Sequence, residues 1–101
     1  MFKLDHIVSN DSASARLLVL EPWGAEYSLG PAERLTVILE SSESGSLEQE
    51  KSDHAIVLYA WPGSSAKVQR GGHLLGEHDR VPEIPRNMTM PAFLKLLLGQ
   101  E

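Results

Sequence analysis

Apolar and polar residues alternate along the first three quarters of this chain, and this period of two is the feature that most restricts its fold. Successive side chains of a β-strand point to opposite faces, so alternation is typical of a strand with one buried face. In RLTVILES, residues 34–41, the side chains of Leu35, Val37 and Leu39 share one face. MFKLDHIV, residues 1–8, follows the same pattern. Both segments are predicted as strands that cover a core on one side.

Two other segments are more strongly apolar. ARLLVLE, residues 15–21, is apolar on both faces, which favours a central strand that is covered on both sides. HAIVLYAW, residues 54–61, is rich in β-branched and aromatic residues and predicts a core strand. The charged segment SSESGSLEQEKSD, residues 41–53, lacks the acid spacing of a calcium-binding EF-hand. We expect it to be a solvated loop with a short hairpin arm at residues 47–51.

The sharpest turn signal is the Gly-Gly pair at residues 71–72, inside AKVQRGGHLLGE. Two adjacent glycines supply the two positive φ angles of a two-residue hairpin turn. The predicted register places Arg70 opposite His73 and Val68 opposite Leu75.

Short strands separated by turns every 8 to 12 residues predict a mainly β, single-domain protein over residues 1–87. An antiparallel β-sandwich or a small barrel fits this pattern, because the strands have no helices between them to make parallel crossovers.

Only the tail, residues 88–101, follows a helical period. Its apolar residues recur at spacings of three and four, which predicts one short amphipathic helix. The stripe consists of Met90, Phe93, Leu94, Leu97 and Leu98. A helix of about nine residues is not stable alone in water. The stripe is therefore expected to cover the protein's own sheet or to contact a partner or a twin subunit.

Composition narrows the class of protein. The net charge is −5, and residues 1–53 hold ten acidic residues against four basic ones. This acidic balance argues against nucleic acid as a partner, since nucleic-acid affinity depends on neutralising phosphates. No apolar run is long enough to cross a membrane, and the N-terminus does not read as a signal peptide, so a cytoplasmic location is expected. The absence of cysteine excludes disulfides.

Motifs that carry chemistry are missing. There is no Gly-x-Ser-x-Gly nucleophile elbow and no glycine-rich phosphate loop before a helix, which favours a protein that is not an enzyme and holds no cofactor. The metal alternative depends on His54, His73 and His78, with Glu77 as a further ligand. A site would require three ligands to converge, and these residues match no known ligand spacing.

The two tryptophans leave two interpretations open. Trp23 follows a proline and Trp61 precedes one, so each lies where a strand meets a turn. The rings could form a stacking platform for a sugar or another planar ligand, with Glu21 and Tyr27 beside them. Each ring could instead fill one end of the core, with its N–H bonded to a turn carbonyl. The second interpretation is favoured, because a small core without disulfides needs aromatic burial.

The segments LEPWGAEY, residues 20–27, and LGPAERLTV, residues 29–37, resemble a set of small, uncharacterised bacterial proteins. The arrangement of strands and turns also resembles small jelly-roll proteins of the cupin type. The resemblance covers about residues 8–75 and implies a β fold. Cupins carry a metal-binding His-x-His with a following Glu, and no His-x-His occurs in this sequence. Cupin metal chemistry is therefore not carried over to this chain.

Together these observations predict a non-enzymatic module for protein interaction or self-association, acting through an edge strand or the C-terminal helix. A binder of small ligands or carbohydrates, using Trp23 and Trp61, is the alternative from another class. A cupin-like metal-binding protein is the third.

Overall fold

The structure is a computed structural model that describes residues 1–81, and these residues form eight β-strands in two four-stranded sheets. The strands are β1 (Phe2–Ser9), β2 (Arg16–Glu21), β3 (Ala25–Leu29), β4 (Arg34–Ser41), β5 (Glu48–Lys51), β6 (Ala55–Tyr59), β7 (Ser65–Arg70) and β8 (His73–His78). Sheet A has the order β1-β4-β7-β8, and sheet B has the order β3-β2-β6-β5. The mainly β prediction is confirmed. The predicted tail helix lies outside the described residues.

The two sheets enclose one core. The predicted alternation in β4 is confirmed, since Leu35, Val37 and Leu39 are buried. Other leucine, isoleucine and valine side chains of both sheets complete the same core cluster. No helix able to cross a membrane occurs among residues 1–81.

The antiparallel prediction is wrong for one pair of strands. β2 and β6 run parallel at the centre of sheet B, with Leu17 opposite Ala55 and Glu21 opposite Tyr59. The chain returns from β2 to β6 through β3, β4 and β5, so three strands take the place of the crossover helix whose absence suggested antiparallel pairing. The other strand pairs within residues 1–81 are antiparallel.

The β7–β8 hairpin has the predicted turn and a different register beyond it. Gly71 and Gly72 both have positive φ, and Arg70 pairs with His73 as predicted. Val68, however, pairs with Gly76, because a β-bulge inserts Leu75 as an extra residue. The predicted pairing of Val68 with Leu75 is therefore wrong, since a bulge shifts every later pair by one residue.

Asn10 joins the β1–β2 loop to the end of β3. Its side chain is buried, and its amide nitrogen donates to the carbonyl oxygens of Ser14 at 2.8 Å and Leu29 at 2.9 Å. Its amide oxygen accepts from the backbone N–H of Ser12 at 3.1 Å and from the Ser12 hydroxyl at 2.7 Å. A buried amide with all these bonds formed holds the loop in one conformation.

Candidate functional site

Trp61 is a core side chain. Only 7% of its surface is exposed, and its indole N–H donates to Ser41 Oγ at 3.0 Å. Its ring packs edge-on against Phe2, with 5.8 Å between ring centroids. The backbone of Gly45 lies so close to the indole that a Cβ at this position would overlap it. The faces of Trp61 are thus closed to a ligand.

Trp23 lies at the corner between β2 and β3. The Glu21-Pro22 peptide bond is cis, and Gly24 has a φ of 72° and donates its N–H to the carbonyl of Leu20 at 2.8 Å. The Trp23 indole is half-buried and donates its N–H to the Asp79 carbonyl at 2.8 Å. This bond ties the corner of sheet B to the chain that follows β8 in sheet A.

Tyr27 and His78 extend the contact between the two sheets. The Tyr27 hydroxyl lies 2.7 Å from His78 Nε2, and the imidazole packs on Trp23 with 5.2 Å between ring centroids. Burial raises the pKa of Tyr27. Burial also lowers the pKa of His78, against the opposing charge of Asp79. Both shifts favour the neutral forms, so one hydrogen bond joins the hydroxyl to the imidazole without a net charge on either side chain.

The four residues of the predicted ligand site are not brought together in one cleft. Trp61 is buried, and Trp23 and Tyr27 already use their N–H and O–H groups in bonds between the two sheets. Glu21 lies half-buried at the end of β2 and faces outward. These contacts give Trp23 and Tyr27 a role in joining the sheets.

The predicted metal site is not assembled. His73 and His78 lie at opposite ends of β8 in sheet A, and His54 precedes β6 in sheet B. Within residues 1–81, no group of three or more histidine, aspartate or glutamate side chains is arranged to hold a metal ion.

The outer face of sheet B carries an apolar stripe along its two central strands. The stripe consists of Leu17 and Val19 of β2 and Ala55, Val57 and Tyr59 of β6. Their neighbours in each strand point into the core, so these side chains point away from it. Leu17 is 40% exposed, and the others are half-buried. A depression of about 250 Å³ adjoins the stripe and is lined by Glu50, Lys51, Ser52, Ala55 and Val57.

Glutamates border this stripe. Glu48 and Glu50 of β5 are in register with Tyr59 and Val57, and Glu26 of β3 is in register with Val19. Glu21 lies beside Tyr59 at the end of β2. The two basic residues of these strands are in register with buried core residues, Arg16 with Leu29 and Lys51 with Ile56. Both approach the Asp11 carboxylate, at 3.7 Å and 4.0 Å, although Lys51 also lines the depression.

The outer face of sheet A has a different pattern. Lys3 is paired with Glu40, and Lys67 is paired with Glu77, so charges of opposite sign alternate across it. The central strand β4 presents Thr36, Ile38 and Glu40 on this side, which is the usual polar mixture of a solvated face. Sheet A also exposes Ile7 and Leu74, which lie among these polar and charged side chains. On sheet B, by contrast, the outward apolar side chains are adjacent on the two central strands, and the charged side chains around them are acidic.

Tyr59 has a raised pKa, to which the neighbouring glutamates contribute after burial. Its hydroxyl donates to Glu50 Oε1 at 2.9 Å. Burial, this hydrogen bond and the charges of Glu50, Glu21 and Glu48 together raise the pKa of Tyr59 to about 12. The negative potential on this face thus acts on a tyrosine at one end of the apolar stripe.

We expect the substitution Glu50→Gln to lower the pKa of Tyr59 toward the ordinary value of 10.0, because it removes both the charged acceptor and its charge. Tyrosinate absorbance during an alkaline titration measures the shift, with Tyr27→Phe as the background so that Tyr59 is the only tyrosine. In the parent chain, the raised pKa contributes stability that is lost as the pH rises from 10.0 to about 12. An unchanged titration midpoint in Glu50→Gln would show that the carboxylate does not act on Tyr59.

Comparison with protein-family models, with curated proteins and with solved structures finds no match for this chain. The resemblance to small bacterial β proteins and to cupin-like jelly rolls therefore stays a prediction.

The sequence did not predict the outer face of sheet B as a functional surface, although one signal for it was present. The segment at residues 15–21 is apolar on both faces, and this pattern marked β2 as a strand that needs cover on its second side. The glutamates that border it come from three different strands, and their adjacency follows only from the strand order.

Proposed function

We propose that this protein is a non-enzymatic protein-interaction module, a two-sheet β-sandwich that binds its partner with the outer face of sheet B. One observation carries the proposal. The central strands β2 and β6 are apolar on both faces, and no other element of residues 1–81 covers their outer side. A sheet with one solvated face is usually polar on that face, so an apolar outer stripe favours a contact surface.

The charges that border the stripe restrict the kind of partner it can bind. Glu21, Glu26, Glu48 and Glu50 favour a partner that carries lysine or arginine beside apolar side chains. Two copies of this chain joined through the same face would bring glutamates against glutamates, which opposes self-association there. Nucleic acids and anionic lipid surfaces would be repelled in the same way. The proposed partner is therefore a basic protein.

Charge reversal tests the proposal. The double variant Glu26→Lys, Glu48→Lys should weaken partner binding about tenfold or more, since each substitution replaces attraction to a basic partner by repulsion between like charges. The matched control is Glu40→Lys, Glu77→Lys, which changes the net charge equally on the outer face of sheet A. The full chain and both variants are used to capture proteins from a lysate of the native host. The captured proteins are compared at low and moderate salt.

We expect the full chain and the control variant to capture a basic protein. The variant with reversed charges on sheet B should not capture it. Capture of the basic protein should also weaken as salt is added, because the glutamates are exposed. Equal capture by all three chains would contradict the proposal.

A further inference from the structure

The dimensions of the apolar stripe restrict what can cover it. The stripe follows two adjacent strands, whose axes lie about 4.8 Å apart in a sheet, so with its side chains it is about 10 Å wide. This width matches the diameter of an α-helix, about 10–12 Å. From Ala55 to Tyr59 the stripe is about 13 Å long, at about 3.3 Å per residue. At about 1.5 Å per residue, nine helical residues cover the same length.

The glutamates lie on both long sides of the stripe. Glu48 and Glu50 belong to β5 on one side, and Glu26 belongs to β3 on the other. These two strands are separated by three strand spacings, about 14 Å. A helix above the stripe can reach both borders with lysine or arginine, because these long side chains extend along an apolar surface and keep their charges at its edge.

We infer that the partner element is a basic amphipathic α-helix of about two and a half turns, which lies along β2 and β6 between the two borders of glutamates. The inference rests on the proposed function. An extended peptide would instead add to an edge strand of sheet B, β3 or β5, through backbone hydrogen bonds, and this would leave the apolar stripe uncovered. A helix covers the stripe and pairs with both borders at once.

Tyr59 is the aromatic anchor in this arrangement. Its ring lies at the end of the stripe, and its hydroxyl is already bonded to Glu50, so the ring is held in place before a partner arrives. Tyrosine is enriched among the residues that dominate binding energy at interfaces. We expect Tyr59→Ala to weaken binding of the helix more than Thr36→Ala on the outer face of sheet A.

Two synthetic peptides of equal composition test the inference. Both contain about 14 residues of leucine, alanine and lysine. One has leucines at helical spacings of three and four with lysines on both flanks, and the other has leucines at every second position. Each is added to the full chain at low salt, and backbone amide shifts of the protein and the helicity of the peptide are measured. The helical peptide should shift amides of β2 and β6, gain helicity on binding, and bind at least about tenfold more tightly than the alternating one.

Two variants locate the site. The pair Glu26→Lys, Glu48→Lys should abolish the shifts, whereas Glu40→Lys, Glu77→Lys should leave them unchanged. Both pairs alter exposed or half-buried side chains at the surface, so we expect both variants to fold.

Other outcomes would overturn the inference. Equal binding of the alternating peptide at β2 and β6, or binding without a gain in helicity, would contradict a helical partner and leave the proposed interaction face intact. A third variant, Leu94→Asp, Leu97→Asp, tests whether the chain's own residues 88–101 occupy the face. If the helical peptide bound only to this variant, residues 88–101 would be the occupant of the face, and the inferred partner helix would be wrong. Failure of the proposed function itself is recognised separately, by equal capture of cellular proteins by the charge variants.

Discussion

Replacing Trp61 with alanine is expected to lower the free energy of unfolding by about 3–5 kcal/mol, which is a large part of the total stability of a small domain. The indole is 7% exposed, packs on Phe2 and donates to Ser41, so its removal leaves a cavity and removes the hydrogen bond that the Ser41 hydroxyl accepts. Chemical denaturation followed by far-ultraviolet circular dichroism measures the loss. Trp23 remains as a fluorescent probe of the same transition.

Trp23→Ala provides the matched control, since it removes the same side chain at the other strand end. Its ring is half-buried, and its main polar contact is one bond to the Asp79 carbonyl. We expect a smaller loss of stability, about 1–2 kcal/mol, because less apolar area returns to water. Equal losses in the two variants would show that Trp61 is not the core residue that the structure describes.

The substitution Asn10→Asp is expected to destabilise the protein by about 3–5 kcal/mol at neutral pH, although it changes one amide into a carboxylate of nearly the same shape. The Asn10 amide nitrogen donates to the carbonyl oxygens of Ser14 and Leu29. A carboxylate oxygen in its place would face two acceptors without a proton to share. The loop that joins β1 to β2 would lose its attachment to the end of β3.

The effect of Asn10→Asp should depend on pH in a defined direction. The protonated acid can donate to one of the two carbonyls, so the folded state favours it and the pKa of the new Asp side chain rises above its unfolded value of about 3.9. The variant is therefore closest in stability to the parent chain below that pH, and the difference grows as the pH rises. Urea denaturation of both chains at pH values from about 3.5 to 7 gives the comparison.

Gln49→Glu makes the same chemical change at an exposed position of β5, where the carboxylate would lie beside the imidazole of His6, and should cost little at neutral pH. A pH-independent loss in Asn10→Asp would contradict the assigned donor role of the amide.

The proposed interaction face is separate from the contacts that hold the two sheets together. Trp23 and Tyr27 of sheet B join the two layers through their contacts with His78 and Asp79 at the end of sheet A. The outer side of sheet B takes no part in those bonds. Substitutions on that side should therefore alter binding with little effect on stability, which separates the proposed function from the fold in experiments.

Strand content could be predicted from the sequence because alternation is a local property. The inward positions of β4, the turn at Gly71 and Gly72, and the hairpin arm at β5 each depend on neighbouring residues alone. The β-bulge at Leu75 could not be predicted, since no local residue type indicates it. The parallel pairing of β2 and β6 could not be predicted either, because strand neighbours far apart in the chain are chosen by the packing of the whole core.

The sequence by itself determined that this chain is an acidic, cysteine-free β protein, and it marked β2 as a strand that is apolar on both sides. Only the tertiary structure decided that Trp61 is buried in the core and Trp23 is half-buried at a corner. Both tryptophans follow strands beside a proline, and they differ in what packs on them. The tertiary structure also decided that the glutamates of β2, β3 and β5 share one face. Periodicity fixes which side of its own strand a residue occupies, whereas the order of strands in a sheet decides which side chains lie together.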